Sequence, residues 1–350
     1  MLKNRIFPLV LLILMILSSC IKRYDPNIKA SDTVKYVVTG QVIRGDSVQL
    51  IHISLTTSLA LQKNITISGS IVKIIDSRGN EYSGTDNFDG NYKVFIPEAE
   101  LIPGNKFMLD IQVPAGNHIV SDFDEFTDCP PVSAVYYEVE SRATSNPAFP
   151  IVGVQFYADM DGGNFSVRRF WFEPVETWEY SANLFYLSWP PNHYCWLTTK
   201  PRNIYTLSTE NLSENKYTRF PLHFVDNYTS QRLRYGYSLL LRMHSLSEAA
   251  WKYYEVLKVN GSDQGGLYEN QPAQVRGNLH DLTHPEQEVL GFFSASSVTS
   301  KRIFLQNVVF VDDSNFDCVP AVWPAKDNPD CLDCMHVVGG TIVKPAFWPW

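Results

Sequence analysis

The sequence predicts a mainly β fold in which a small antiparallel sandwich is followed by a larger β-rich domain with one short helix. Short segments of alternating apolar and polar residues, separated by turn-forming residues, recur along most of the chain. Only one segment shows helical periodicity. Aromatic residues make up 13% of the chain, which favours strands because aromatic side chains fit a pleated surface well.

The first residues predict a lipoprotein signal peptide over residues 1–19. Lys3 and Arg5 form a positive start, an apolar run follows at 6–17, and two small residues precede Cys20. The run is too short to span a membrane, and its end has the form of a processing site. We therefore expect Cys20 to be the lipidated first residue of a mature chain that is held at the membrane by its lipid anchor only.

Residues 20–34 predict a tether between the lipidated cysteine and the first strand, because they contain Pro26 and no periodicity. No Asp follows Cys20 directly, which favours the outer over the inner membrane. The expected location is therefore the outer membrane of the cell envelope. The periplasmic and the surface face both stay open.

The charge balance argues against polyanionic partners. The whole chain has 29 basic and 37 acidic side chains; without Lys3 and Arg5, 27 basic ones remain and the net charge is −10. Nucleic acid is therefore not an expected partner. Hydrophobic residues make up 45% and charged residues 19% of the chain, a composition typical of a globular protein.

Residues 35–125 predict the sandwich. Strands are expected near 35–42, 48–59, 70–75, 89–95, 107–113 and 118–121, with turns between them. Three motifs, Thr-Gly-Gln-Val at 39–42, the β-branched run at 70–74 and Asp-Gly-Asn-Tyr at 89–92, follow in an order that resembles the carboxypeptidase regulatory-like modules. That resemblance implies an immunoglobulin- or transthyretin-like sandwich without catalytic residues.

Residues 130–350 predict the larger β-rich domain, after a Pro pair that cannot continue a central strand. Its strands are expected near 132–140, 151–158, 166–180, 233–243, 274–278, 289–294 and 303–311. The one helix is expected near 246–259. Ser245 and Glu248 have the spacing of a capping box, and an apolar face follows before Gly261. A Cys-containing C-terminal tail completes the domain.

Region 168–196 concentrates aromatic and acidic residues. It supplies the candidate ligand contacts Trp171, Trp178, Trp189 and Trp196. Together with the glutamates of the same region they would suit a sugar-binding platform, or carboxylates for glycoside hydrolysis; the alternative is an aromatic core with a solvated rim. Strict alternation would place Glu173 and Glu176 on opposite faces, provided that Pro174 leaves the register intact.

Five cysteines remain once Cys20 is lipidated, so at least one of them is unpaired within the chain. An oxidising envelope favours disulfides. The disulfide candidates are Cys195, Cys318, Cys331 and Cys334, and the unpaired thiol candidate is Cys129. Four cysteines allow three pairings, and the choice stays open. A zinc site that combines the last three cysteines with His336, or a redox pair at 331–334, are the alternatives.

Several longer motifs occur in a distinctive order along the chain. They include Leu-Ser-Glu-Ala-Ala at 246–250, Gly-Gly-Leu-Tyr-Glu-Asn-Gln-Pro-Ala at 265–273, Val-Leu-Gly-Phe-Phe-Ser-Ala-Ser at 289–296 and Cys-Leu-Asp-Cys at 331–334. In this the chain resembles the DUF4249 family of Bacteroidota outer-membrane lipoproteins. Members are often encoded beside TonB-dependent receptors, so the resemblance implies an accessory role at such a transporter, without an established activity.

The remaining motifs predict no catalytic residue, no cofactor and no metal. His280 and His284 lack the Glu of a metalloprotease motif, and Phe170 stands where a calcium loop starting at Asp159 needs Glu. We therefore predict a non-enzymatic envelope lipoprotein, an accessory or ligand-capturing partner of a TonB-dependent outer-membrane receptor. The alternatives are an envelope glycan-binding protein or hydrolase that uses region 168–196, and a structural surface scaffold.

Overall fold

The computed structural model describes residues 34–46, 48–57, 64–144, 146, 148–182, 192–227, 231–261, 274–306 and 333–350. Lys35–Thr56 and Asn64–Trp350 belong to one compact unit, and the sheets described below lie within it. These residues are mainly β with a single long helix, which confirms the predicted fold class.

The elements are numbered in chain order. The strands are β1 (Tyr36–Ile43), β2 (Val48–Leu55), β3 (Ile65–Thr66), β4 (Ile71–Asp76), β5 (Glu81–Asp86), β6 (Asn91–Phe95), β7 (Lys106–Gln112), β8 (His118–Ser121), β9 (Asp124–Glu125), β10 (Val132–Arg142), β11 (Ile151–Asp161), β12 (Arg169–Ser181), β13 (Tyr194–Thr199), β14 (Tyr205–Ser208), β15 (Lys216–Asp226), β16 (Gly236–Ser245), β17 (Leu279–Asp281), β18 (Leu290–Ser296), β19 (Val298–Gln306) and β20 (Gly340–Thr341). The α-helix is α1 (Glu248–Gly261), and short 3₁₀ helices lie at Glu98–Glu100, Gln231–Leu233 and Cys334–His336.

The first sheet has the strand order β17-β8-β7-β4-β5-β6-β2-β1-β18, with β3 added to β2 and β9 to β7. Strand β5 pairs with β4 on one side and β6 on the other, so it joins two halves of the sheet. Apolar side chains from both halves, such as Val38, Ile51, Ile74 and Ile111, share one core. The sheet therefore closes over itself as a sandwich.

Two strands of this sheet come from a distant part of the chain. Strand β18 lies parallel to β1, with Thr39 opposite Phe292, and β17 pairs with β8. Both belong to residues that the sequence analysis assigned to the second domain. A bond from the Asn278 side-chain amide to the carbonyl of Phe293 (2.8 Å) holds this returning segment together.

The second part of the molecule is another pair of packed sheets. One has the order β10-β11-β15, and the other has the order β19-β16-β12-β13-β20 with β14 also on β12. Their facing side chains form a single core that includes Val154, Phe172 and Leu241. Phe156 and Tyr237 stack across it with ring centroids 5.5 Å apart.

Strand β12 contains Pro174 without a break in register. It pairs continuously with β16 from Phe170 to Trp178. On its other edge, β14 covers Arg169–Phe172 and β13 covers Glu176–Ser181, so Pro174 lies where that edge changes partner. The missing N–H of proline is tolerated there because no ladder bond is required.

The N-cap of helix α1 lies two residues later than predicted, and the helix begins at Glu248. The backbone N–H of Ala250 donates to the Ser247 hydroxyl at 3.1 Å, which makes Ser247 the N-cap. The expectation for Ser245 was wrong because β16 continues through it. Its hydroxyl donates instead to the carbonyl oxygen of Thr127 at 2.8 Å.

Candidate functional site

An open groove of about 380 Å³ lies between α1 and the outer face of the first sheet. We call it the aromatic groove, and its lining residues are Thr39, Gly40, Gln41, Leu50, His52, Tyr253, Tyr254, Leu257 and Phe292. Strand alternation explains the lining, since Ile51 and Ile53 face the core and leave Leu50 and His52 on the outer face. The volume lies in the range of small-ligand sites.

Aromatic contacts fix the helix over the sheet. Tyr253 stacks on Phe292 of β18, and Tyr254 stacks on Trp171 of β12, each with ring centroids 4.8 Å apart. Trp171 in turn lies against the ring of His244, with centroids 4.5 Å apart. The walls of the aromatic groove are therefore tied to both parts of the molecule.

Gln41 and His244 connect the aromatic groove to buried polar groups. The side-chain amide of Gln41 donates to the Ser296 hydroxyl at 3.0 Å and lies 3.4 Å from Nδ1 of His244. His244 is 1% exposed, and its Nε2 lies 3.5 Å from a carboxylate oxygen of Glu173. Burial outweighs the attraction of Glu173 and lowers the pKa of His244, so the imidazole is neutral at pH 7.

Glu173 is an ionised carboxylate in a cationic surrounding. Its oxygens lie 2.5 Å from Nζ of Lys200 and 3.5 Å from a guanidinium nitrogen of Arg242. Burial by itself would raise the pKa of Glu173, but the contacts with His244 and Lys200 outweigh it and lower the pKa to about 2.

Glu176 lies on the opposite face of β12, inside the second core, as alternation predicts. The Tyr237 hydroxyl donates to it at 2.9 Å and the Thr199 hydroxyl at 3.1 Å. His223 and Arg232 each lie 3.3 Å from its oxygens. Burial opposes ionisation, but these partners outweigh it and lower the pKa of Glu176.

Glu173 and Glu176 are both ionised and lie on opposite faces of β12, so these two do not form a catalytic pair with each other. A glycosidase needs one carboxyl group with a raised pKa as general acid, whereas Glu173 and Glu176 are ionised and paired. Glu179 is different, because burial raises its pKa while Lys344 lowers it. It pairs in register with Trp196 of β13, towards the far end of the strand from Trp171.

Of the three candidate tryptophans among the described residues, only Trp171 lies beside the aromatic groove. Trp171 supports its wall, whereas Trp178 lies in the second core under the guanidinium of Arg232, 5.1 Å from the ring centroid. The Nε1–H of Trp196 is buried and donates to no acceptor among the described residues. Trp189 lies outside them. The three described tryptophans of region 168–196 therefore do not share one surface.

The structure shows the state of three of the cysteines. Cys195 and Cys334 form a disulfide with Cα atoms 5.7 Å apart, which attaches the C-terminal segment to β13. Cys129 is a buried free thiol whose pKa is raised by burial to about 12. Cys20, Cys318 and Cys331 lie outside the described residues. Because Cys334 is bonded to Cys195, it cannot serve as a zinc thiolate.

A larger crevice of about 510 Å³ is lined by the single segment 274–289. Two of its carboxylates already have partners: Glu288 lies 2.5 Å from Lys35, and Asp281 accepts a bond from the Asn117 amide at 2.6 Å. His280 lies 3.1 Å from Asp122. We therefore regard the aromatic groove as the better candidate site.

The aromatic groove itself was not predicted, because the candidate ligand contacts were placed in region 168–196. The apolar face of the predicted helix contains Tyr253 and Tyr254. Nothing in the local pattern of β1 and β2 indicates that a helix some two hundred residues later lies over Gln41 and His52. Alternation alone shows which of their side chains face out.

Neither a spanning helix nor a metal cluster occurs in the ranges that the structure describes. No helix there is both long and apolar enough to cross a bilayer. No group of three or more His, Cys, Asp or Glu residues is arranged there to hold a metal ion.

Fold and groove together define a mainly β protein with an open aromatic site between a helix and a sheet. The DUF4249 family model, described as a domain of unknown function, matches residues 21–302, and the chain belongs to that family. This confirms the resemblance found in the sequence, whereas the Bacteroidota lipoprotein setting stays a prediction.

Comparisons with other proteins add no function. No curated protein matches the chain. Trypsin-activated alpha-2-macroglobulin from Escherichia coli, a solved structure, is similar at 10% identity with a TM-score of 0.22, over 62% of this chain and 15% of that chain. The chain thus spans a small part of that protein, and we infer neither fold nor function from this similarity.

Proposed function

We propose that the chain is a non-enzymatic envelope lipoprotein that captures a ligand as an accessory of a TonB-dependent outer-membrane transporter. The observation that carries the binding part is the aromatic groove, an open cleft whose walls are stacked aromatic rings. The carboxylates of Glu173 and Glu176 are ionised and already paired with neighbouring side chains, which favours binding over hydrolysis.

The envelope location is supported by covalent chemistry. The signal peptide and Cys20 predict export and lipidation. The disulfide between Cys195 and Cys334 is the type of bond that persists in an oxidising compartment.

A protein partner is supported by the surface of the C-terminal segment. Val338 is 96% exposed and Val343 70% exposed, while Trp348 of the same segment is buried against the body. The segment is therefore fixed in place with apolar side chains facing outward, which is typical of interaction surfaces. Together with the family resemblance, this favours an accessory that contacts another protein.

The test is co-purification of the full chain from outer membranes solubilised in a gentle detergent, with the bound proteins identified by mass spectrometry. We expect a TonB-dependent barrel in stoichiometric amount. The Cys20→Ala variant, which cannot be lipidated, is expected to leave the membrane fraction and lose the barrel. An isolated wild-type lipoprotein would refute the accessory role.

The second candidate function is an envelope glycan-binding protein or hydrolase. The raised pKa of Glu179 is the observation that favours a hydrolase, because a general acid must keep its proton near neutral pH. Hydrolysis would require a cleft at the Glu179 end of β12, away from the aromatic groove.

A further inference from the structure

We infer that the aromatic groove binds an uncharged saccharide unit, a ring-shaped ligand with one apolar face and several hydroxyl groups. The inference deepens the proposed function and rests on it, since it names the class of ligand that the accessory captures. It also relocates the expected site, from region 168–196 to the surface between α1 and strands β1, β2 and β18.

The lining of the aromatic groove carries no carboxylate, ammonium or guanidinium group, and its one imidazole, that of His52, lies 3.0 Å from the side-chain oxygen of Asn91. None of its nine residues is Asp, Glu, Lys or Arg, although charged residues make up 19% of the chain. An ionic ligand would lose hydration there without gaining a carboxylate, ammonium or guanidinium group as a counter-charge. Phosphorylated, sulfated and carboxylated ligands are therefore disfavoured.

The walls offer flat apolar surface for the ring of a ligand. Tyr253, which is half-buried, stacks on the buried ring of Phe292 with an interplanar angle of 29° and supplies the accessible aromatic surface. Leu50, which is 57% exposed, and Leu257 extend the apolar surface. Aromatic side chains that are apolar in the body and polar at the tip suit ligands of mixed polarity.

Several polar groups on the lining have no partner within the residues that the structure describes. They are the hydroxyls of Thr39, Tyr253 and Tyr254 and the side-chain carbonyl of Gln41. The side-chain amide nitrogen of Gln41, by contrast, already contacts Ser296 and His244. Burial raises the pKa of Tyr253 and Tyr254, so both hydroxyls remain protonated donors. A hydrocarbon ligand would bury these groups unsatisfied, whereas ligand hydroxyls would pair with them.

The site is organised before any ligand arrives. Tyr254 is held by its stack on Trp171, and Trp171 by His244. The Ser247 cap fixes the first turn of α1. Little side-chain freedom remains to be lost on binding, which favours a measurable affinity from a shallow surface.

The experiment is calorimetric titration of the full chain, reconstituted in phospholipid nanodiscs, with maltohexaose, cellohexaose and mannohexaose. A sulfated hexasaccharide and indole serve as charged and apolar comparators. We expect at least one neutral hexasaccharide to bind. Tyr253→Phe and Thr39→Val, which remove one hydroxyl each and keep the shape, are expected to weaken that binding about tenfold.

The matched control is Tyr137→Phe, a hydroxyl deletion on an exposed tyrosine of β10 outside the aromatic groove, with no expected effect. Thermal unfolding of each variant checks that it is folded. The inference is overturned if no neutral hexasaccharide binds at about 10 mM, if the groove variants bind as well as the control, or if indole or the sulfated sugar binds more tightly. Hexasaccharide binding without a co-purifying barrel would leave this inference intact and refute the accessory role. A co-purifying barrel without hexasaccharide binding would support the accessory role and overturn this inference.

Discussion

At the scale of single residues, buried carboxylates carry the clearest consequences. Glu173 has a pKa lowered to about 2, and Asp124, which is 3% exposed, has a pKa raised by burial to about 6. The two groups shift in opposite directions, because Glu173 faces cations whereas Asp124 accepts mainly neutral hydrogen bonds. Their effects on stability therefore have opposite signs.

Glu173 should stabilise the fold at neutral pH and cease to do so in acid. Its unfolded pKa is near 4.5, so the contribution is present above that pH and is lost as pH falls towards 2. The shift corresponds to about 3 kcal/mol. We expect Glu173→Gln to lower the free energy of unfolding by about that amount at pH 6, and the gap to the wild type to narrow by pH 3. Urea unfolding at both pH values measures this; a constant gap would contradict the assignment.

Asp124 should act in the reverse sense. Its pKa is raised from 3.8 to about 6, so stability falls as pH rises through this interval. The backbone N–H of Ala295 donates to a carboxylate oxygen of Asp124 at 2.8 Å. Asp124→Asn keeps an oxygen as acceptor for this bond and removes the charge. Between pH 4 and pH 7 we expect the variant to gain about 2 kcal/mol relative to the wild type. Urea unfolding of the wild type and the variant at both pH values measures this. An unchanged difference in the free energy of unfolding between pH 4 and pH 7 would exclude a buried charge at this position.

At the scale of elements, α1 depends on a cap that the sequence pattern placed two residues too early. Ser245 and Ser247 both precede the apolar face, and the capping-box spacing selects Ser245. Strand β16 extends through Ser245, and the Ser245 hydroxyl donates to the carbonyl oxygen of Thr127. Ser247 is therefore the residue that caps the helix. Long-range strand pairing of this kind leaves no mark on the local pattern.

Loss of the cap should destabilise α1 and hence the aromatic groove. We expect Ser247→Ala to lower the free energy of unfolding by about 1 kcal/mol, because the N–H of Ala250 loses its acceptor. Ser247→Asn supplies another capping side chain and should recover most of the loss. Thermal unfolding, with hydrogen exchange along 248–261, gives both values. Equal behaviour of the two variants would show that Ser247 does not cap the helix.

Strands were predictable where apolar residues alternate and not elsewhere. The alternation in β1, β2, β4 and β7 reflects a buried face and locates them to within a few residues. Strand β5 (Glu81–Asp86) has no fully buried residue and so no apolar period to detect. The expected strand at 274–278 lies instead at Leu279–Asp281, where pairing with β8 decides it.

At the scale of the whole molecule, two long-range connections could not be deduced from the sequence. One is the parallel pairing of β1 with β18, which joins residues about 250 positions apart. The other is the Cys195–Cys334 disulfide, one of several pairings that the cysteine count allows. Neither follows from local periodicity, and the aromatic groove exists only because β18 and α1 meet beside β1.

The disulfide should contribute strongly to stability. It links residues 139 positions apart, and loss of a native bridge typically costs about 2–5 kcal/mol. We expect Cys195→Ser to lower the unfolding midpoint and to make the C-terminal segment susceptible to proteolysis. In Cys129→Ala, where the buried thiol is removed instead, the bridge persists and the segment should stay resistant. Mass spectrometry of limited digests distinguishes the two; early cleavage in both variants would contradict the anchoring role.

The central claim is that this chain binds a ligand and does not cleave it. The most direct measurement is chromatography of the neutral hexasaccharides after prolonged incubation with the full chain, alongside titration of the same samples. We predict that a bound hexasaccharide is recovered intact from the wild type. Shorter products that appear with the wild type and vanish with Glu179→Gln would contradict the claim and establish a hydrolase.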